Sequence, residues 1–391
     1  MNKQQQEARA EEPPARAELL VVGGGLAGLI CAWRAATAGV EVLVCDSPDR
    51  PAAAGVAAGM IAPVGEASWG EGATTAAAIA AAAAWPEFAR ELERAGRLAV
   101  PYRRCGALHV ALDRDEAAEL GRRADLHARS SLQAETLLGS ECRRLEPGLG
   151  TAVTAGFSAP LEAEVDPRVL LPAISAAAES AGARIVSAEV SEIDSGAGVA
   201  RLADSRTLAA GRVAICAGAW AGSDGLLLPQ QRLPVRPVKG EILRLRAEPG
   251  HLPCERIIVG ERFYIVPRAG GEVVLGATSE EGGFDMRVTA GAVHELLREA
   301  YRALPQLAEL ELVETAAGLR PGSPDNAPIF GTLEGTAGPI VAAGLYRNGI
   351  LLAPLLAAGF DALFASRELP AELIPLGPER FDRPGRVRQV Q

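Results

Sequence analysis

The chain has 391 residues, 48% hydrophobic and 23% charged, which suits a globular protein with a sizeable core and two or three domains. A net charge of -10 and the lack of a long basic block speak against nucleic-acid binding. The six cysteines show no C-x-x-C and no metal-like spacing with the four histidines, so they read as reduced thiols of a cytoplasmic protein without a metal.

Met1 to Ala17 is polar, carries Pro13-Pro14 and lacks an apolar centre, so it reads as a disordered tail and not a signal peptide. Residues 18–46 then form one unit. Glu18–Val22 is a short strand, and Gly23-Gly24-Gly25-Leu26-Ala27-Gly28 fits G-x-G-x-x-G. Leu29–Ala38 is a predicted helix that Gly39 ends, Val40–Val44 a second strand, and Asp46 closes the unit. Such glycines let the backbone turn tightly and approach a pyrophosphate, which then sits at a helix N-terminus. An acid about 20 residues further on can bond the ribose hydroxyls, and Asp46 is in that place. The frame as a whole predicts an adenine dinucleotide.

Residues 47–72 are rich in Gly, Ala and Pro and predict a loop covering the cofactor. A helix follows over Thr75–Arg97, with Pro86 bending or breaking it. Ala107–Leu112 is a predicted strand; Arg114–Arg129 and Ser140–Leu145 are predicted solvated helices. Asp166–Ala181 is a helix with Pro167 in its first turn. Arg184–Val190 and Arg212–Trp220 are strands, the second running into a small-residue turn. Residues 234–246, 256–268 and 272–278 alternate as three strands, and His294–Leu304 is a helix. Gly-rich patterns return at Ala317–Gly322 and Pro339–Leu356. Neither Ala76–Ala84 nor Gly349–Ala365 is long and apolar enough for a membrane span.

The fold class expected is α/β: a Rossmann-like cofactor domain built from separated segments, plus an α+β substrate domain with a mainly antiparallel sheet. The cofactor domain is expected over 18–95, 156–228 and 315–375. The substrate domain is expected over 96–155 and 229–314, with a C-terminal tail over 376–391.

Several segments carry a family resemblance. They are Val21–Gly28, Ala57–Pro63 (AAGMIAP), Val238–Glu241 (VKGE), Tyr264–Arg268 (YIVPR), Gly318–Gly322 (GLRPG) and Arg347–Pro354 (RNGILLAP), with the Ala217–Trp220 turn (AGAW). In this order the chain resembles the FAD-dependent amine and amino-acid oxidoreductases related to D-amino-acid oxidase and sarcosine oxidase, and within them the glycine oxidases of thiamine biosynthesis. The resemblance implies FAD, held without a covalent bond, since no cysteine follows Cys254 to attach it. It implies a small amino-acid substrate, molecular oxygen as acceptor, and a thiazole synthase as partner. A homo-oligomer is among the expectations, and the sequence leaves oligomeric state open.

The chemistry implied needs a fixed carboxylate, a neutral amine and a Cα–H aimed at the flavin. Arg320 is the first candidate for the carboxylate clamp, because a guanidinium offers two parallel donors. Tyr264 is a second contact through its hydroxyl. Strand alternation puts Arg262 on the same face, where it either reaches the pocket or extends to solvent. Arg347 opens the loop that covers flavin and substrate in the family, and Met60 narrows the pocket or simply fills the core. Lys239 stays undecided, and no histidine receives a role. For FAD the resemblance implies contacts from Gly23, Gly25, Leu26, Ala27, Gly28, Asp46, Ser47, Ala58, Gly59, Met60, Val190, Ala217, Gly218, Trp220, Arg347, Asn348, Gly349, Ile350 and Leu351. No side chain is expected to act as acid or base. Glycine, sarcosine and small D-amino acids remain open as substrates. A dehydrogenase using a quinone, or a flavin-binding module without activity, are the alternatives.

Overall fold

The computed structural model describes residues 13–130, 132–248, 250–333, 335 and 338–381. In chain order the first half holds β1 (Arg16–Val22), α1 (Leu26–Thr37), β2 (Val42–Asp46), β3 (Met60–Ile61), α2 (Gly72–Gly96), β4 (Ala107–Ala111), α3 (Arg114–Arg129), β5 (Glu135–Leu138) and α4 (Gly139–Leu145). There follow β6 (Ala155–Ala159), β7 (Ala163–Glu164), α5 (Pro167–Ser180), β8 (Arg184–Ser187), β9 (Val190–Asp194), β10 (Val199–Leu202) and β11 (Thr207–Ile215). The last part holds β12 (Arg236–Arg246), β13 (Ile257–Val259), β14 (Tyr264–Pro267), β15 (Glu272–Gly276), α6 (Ala290–Ala303), β16 (Glu311–Gly322), β17 (Ile329–Thr332), β18 (Ile340–Ala343) and α7 (Ala353–Phe364).

The first sheet runs β17-β18-β11-β1-β2-β8, with β10 and β9 added beside β11. Its centre is parallel: β1 pairs with β11 and β2, and β2 with β8. Central parallel strands are covered on both faces, so Leu19–Val22 and Val42–Cys45 are apolar at every position. Leu19, Val21, Val42 and Val44 face a layer built from α1, α2, α5 and α7. Leu20, Val22, Leu43 and Cys45 face the opposite layer, with Val190, Ile193 and Leu227.

The second sheet runs β16-β12-β15-β14-β13-β4-β6-β5. It is antiparallel except where β13 meets β4. Alternation again divides its faces. Leu243, Ile265, Val273 and Leu275 pack under α6, on Leu296 and Ala300. Ile242, Val266 and Val274 face the other way with Ala58 and Phe157, and Tyr264 packs on this group.

The structure revises several expectations. β1 begins at Arg16, so the expected tail gives up its last two residues; Met1 to Glu12 lie outside the described residues. α1 starts at Leu26, inside the glycine motif. α2 continues through Pro86 unbroken. Residues 256–268 are two strands, β13 and β14, joined by a turn. The glycine-rich Ala317–Gly322 is the end of a twelve-residue strand, β16, bonded to β12 along its length. Both β6 and β16 therefore belong to the second sheet, against the domain boundaries drawn at 156 and 315. The expected C-terminal tail is also shorter, because Arg380 bonds Asp325 and the Ala327 carbonyl; residues 382–391 lie outside the described residues.

The helix expected over Arg114–Arg129 is α3, and that expected from Asp166 with Pro167 in its first turn is α5. Asp113 caps α3 through the Asp115 and Glu116 amides, and Asp166 caps α5 through Arg168 N. All six cysteines are unpaired. No described helix is long and apolar enough to cross a membrane.

Candidate active site

One cavity of about 1150 Å³ runs from the glycine turn to the second sheet. At its first end β1 stops at Val22 and the chain turns into α1. Gly23 has φ +102, and a Cβ there would lie 2.5 Å from the Cys216 carbonyl oxygen. A Cβ on Gly28 would lie 1.8 Å from the Gly23 carbonyl oxygen, so α1 packs directly on the turn. The first turn of α1 carries no acid and no side-chain cap, leaving its amides and positive dipole end for an anion. Asp46 accepts a 2.8 Å bond from the Gly24 amide, which fixes its carboxylate beside the turn.

Beside this end, Ser47 Oγ donates to Glu189 over 3.1 Å, and Arg50 pairs with the same carboxylate at 2.5 Å. These contacts join the segment after β2 to the segment before β9. The 3₁₀ turn at Gly218–Gly222 follows β11 and places Ala217, Gly218 and Trp220 on the cavity wall. Trp220 stacks on Phe284, with ring centres 5.7 Å apart.

The other end is built on the second sheet. Register aligns Gly318 with Gly240, and both Tyr264 and Ile242 with Gly276. Parity then puts Arg320 on the same face as Gly240 and Ile242. The guanidinium lies flat over Gly240, where a Cβ would be 2.4–2.5 Å from its atoms. Arg320 Nη1 donates to the Thr278 carbonyl at 3.0 Å and the Lys239 carbonyl at 3.4 Å. No carboxylate of a described residue forms an ion pair with it. Burial pushes the Tyr264 hydroxyl above its ordinary pKa, and the Arg320 charge opposes that rise. Burial alone would lower the pKa of Arg347, but the charge of Glu66 and the Tyr346 hydroxyl raise it above the ordinary value. The Arg347 guanidinium also sits 5.2 Å from the Tyr346 ring centre.

Residues 18–360 match the family described as FAD dependent oxidoreductase (DAO). The chain belongs to this family. It is similar to the bifunctional protein ThiO/ThiG of Trichormus variabilis, with 35% identity over 346 residues, 87% of this chain and 51% of that protein. It is similar to glycine oxidase of Geobacillus kaustophilus, with 32% identity over 369 residues, 93% of this chain and 97% of that one. The crystal structure of glycine oxidase from Geobacillus kaustophilus superposes with a TM-score of 0.86 at 31% identity, covering 94% of this chain and 99% of that chain. The chain spans about half the length of the ThiO/ThiG relatives it matches.

FAD is the family cofactor, and the cavity fits it. The turn is closed to any Cβ at Gly23 and Gly28, and α1 offers an uncapped N-terminus for the pyrophosphate. Asn348 Oδ1 is buried on the cavity wall without a hydrogen-bond partner, an orphan acceptor that a bound ligand would satisfy. The segment Asn348–Leu352 turns into α7, whose first turn also lacks an acid and a side-chain cap.

Every residue assigned from the sequence to substrate or FAD except Gly28 lines this one cavity, from Gly23 to Leu351 and from Met60 to Arg347. Gly28 lies beneath the turn. Arg262 stands at the cavity edge, mostly exposed, 3.7 Å from Glu295. Lys239 is buried between Glu241 at 2.9 Å and Glu280 at 2.8 Å, not on a solvated face.

Sequence reasoning missed Glu66, Arg123, Arg50 and Glu189 on the wall, and the Thr278 carbonyl that fixes Arg320. It also missed His109 and His127, both buried behind the wall. A carbonyl carries no residue signature. Glu66 did stand seven residues after Gly59, inside the segment read as a cofactor loop, and that position was the available signal.

Proposed function

We propose that the chain catalyses FAD-dependent oxidative deamination of glycine or a similarly small amino acid. The products are an α-keto acid (glyoxylate from glycine), ammonia or an amine, and hydrogen peroxide. One observation carries this reading. Arg320, without a carboxylate partner, is held by two carbonyls beside Tyr264, in the same cavity as the glycine turn. A fixed, unneutralised guanidinium in a largely desolvated wall is a carboxylate receptor.

In this reading Arg320 and Tyr264 hold the substrate carboxylate. Arg347 and Met60 close the pocket over the Cα. The α1 N-terminus, Asp46 and the Ala217–Trp220 turn hold the nucleotide. When bound, FAD supplies a two-electron acceptor that takes hydride from the substrate Cα and delivers the electrons to oxygen. What the protein contributes is orientation and water exclusion, so no side chain is assigned as acid or base.

A place in thiamine thiazole formation, with a thiazole synthase as partner, is supported by the ThiO/ThiG relatives. The unpaired cysteines go with a cytoplasmic location. As a domain division we place the cofactor domain over 16–95, 160–228 and 323–381, and the substrate domain over 96–159 and 229–322.

The test is an anaerobic visible spectrum of the purified holoprotein with glycine, sarcosine, D-alanine or D-proline added singly. Bleaching by glycine, with colour and peroxide returning in air, is expected. Bleaching only by a larger D-amino acid, or slow return in air, would move the assignment to a D-amino-acid oxidase or a dehydrogenase.

A further inference from the structure

The amine-oxidase reading leaves one end of the substrate without a protein partner. A zwitterion such as glycine has a cationic or hydrogen-bond-donating amino end, and Arg320 and Tyr264 account only for its carboxylate. Glu66 lines the same cavity, yet no described cation lies within ion-pair distance of its carboxylate. Of the other acids on the wall, Asp46 accepts from the Gly24 amide, Glu71 bonds Asn326, Glu119 pairs with Arg122, and Glu261 is exposed. Glu189 pairs with Arg50, Glu280 with Lys239, and Glu295 with Arg262.

The backbone that presents Glu66 is unusually well held. His127 Nε2 donates to the Val64 carbonyl over 3.2 Å. Glu162 accepts from the Gly65 amide at 2.6 Å, and Arg123 donates to the Gly65 carbonyl at 2.6 Å. The Glu66 amide itself donates to the Ala62 carbonyl at 2.9 Å. Glu162 and His127 are almost wholly buried, so fixing this loop costs the desolvation of two polar side chains. A third, His109, stacks on Phe157 and presses against Gly65, where a Cβ would lie 2.7 Å from its Cε1. Between Val64 and Ala67 the only side chain with a functional group is that of Glu66. Its charge acts on Tyr264, Arg347 and Arg123, so it stands among the groups of the substrate end.

We propose that Glu66 recognises the amino end of the substrate, accepting a hydrogen bond from the amine while Arg320 and Tyr264 hold the carboxylate. At the substrate end Arg320 and Glu66, neither of them in an ion pair among the described residues, complement the two charges of a small zwitterion. This rests on the amine-oxidase reading and adds a selectivity rule: ligands with an amine are favoured over isosteric acids without one.

The experiment compares glycine with propionate, which replaces the amine by a methyl group, on the holoenzyme. In Glu66→Gln the glycine KM should rise about tenfold, while the propionate inhibition constant stays within about twofold. Glu66→Asp, which keeps the charge but retracts it, should weaken glycine selectively and to a smaller degree. Equal weakening of both ligands would show that Glu66 merely supports Arg347 and would overturn the proposal, as would an unchanged glycine KM. Failure of the wild-type holoenzyme to be reduced by glycine or inhibited by propionate would instead overturn the amine-oxidase reading itself. Flavin absorbance and melting temperature of both variants report whether the fold is intact.

Discussion

The two ends of the cavity are built in opposite ways. The nucleotide end centres on one contiguous stretch, β1 to β2, working mostly through backbone: a turn at positive φ, an uncapped helix start and an Asp46 carboxylate fixed by an amide. The substrate end gathers side chains from four distant segments, Glu66, Tyr264, Arg320 and Arg347, and the groups that hold Arg320 and the Glu66 loop are themselves distant in sequence. A backbone site fails by steric exclusion and takes the ligand with it. A side-chain site fails by degrees, and the protein around it keeps its cofactor.

The largest break in this contrast is Gly28→Ala. The added Cβ would sit 1.8 Å from the Gly23 carbonyl oxygen, a backbone atom that has no room to retreat. The variant should purify without flavin, or lose it on gel filtration, as the ratio of visible to ultraviolet absorbance reports. Next is Arg320→Ala. Loss of a half-buried cation that meets a carboxylate should lower kcat/KM for glycine about a hundredfold to a thousandfold, with flavin content unchanged. If that substitution stripped the flavin as well, the two ends would not be separable.

The same contrast explains what the sequence made legible. The nucleotide end was readable because strand, glycine turn, helix and acid follow in fixed spacing, and each glycine has a local steric reason. At the substrate end, Arg320 and Tyr264 were identified through resemblance, while spacing gave only a shared face. What held them in place stayed invisible. The Thr278 carbonyl, the absence of a Cβ at Gly240 and the buried Glu162 under Gly65 act across 42, 80 and 97 positions of chain. The β16 strand was misread for a related reason. Ala317–Gly322 showed only as a glycine-rich pattern, whereas the glycines of this strand and its neighbour allow close packing, with Gly318 against Val56 and Gly240 of β12 under Arg320.

A finer test of that packing is Gly240→Ala. Its Cβ would lie 2.4–2.5 Å from the Arg320 guanidinium, which is the flexible end of a side chain and can shift. The charge is kept but its aim is lost, so the glycine KM should rise about three- to tenfold with a smaller change in kcat. An effect as large as that of Arg320→Ala would mean that the strand and not the guanidinium had moved.

The smallest expected effect concerns the support behind the wall. Burial and the nearby Arg123 charge hold the His127 pKa down at about 4, so it is neutral in the folded protein. In the unfolded chain it takes up a proton near its ordinary value of about 6.5. Between these values the unfolded state binds more protons, so the contribution is complete above about pH 6.5. It is lost as the pH falls towards 4, amounting to about 1–3 kcal/mol over the window. Melting temperatures at pH 7.5 and 5 should therefore fall further for the wild type than for His127→Gln, which has nothing to protonate. The glutamine amide can still donate to the Val64 carbonyl, so glycine turnover at pH 7.5 should stay close to wild type. A large loss of turnover there, with stability intact, would move His127 from the support of the Glu66 loop into the chemistry of the site.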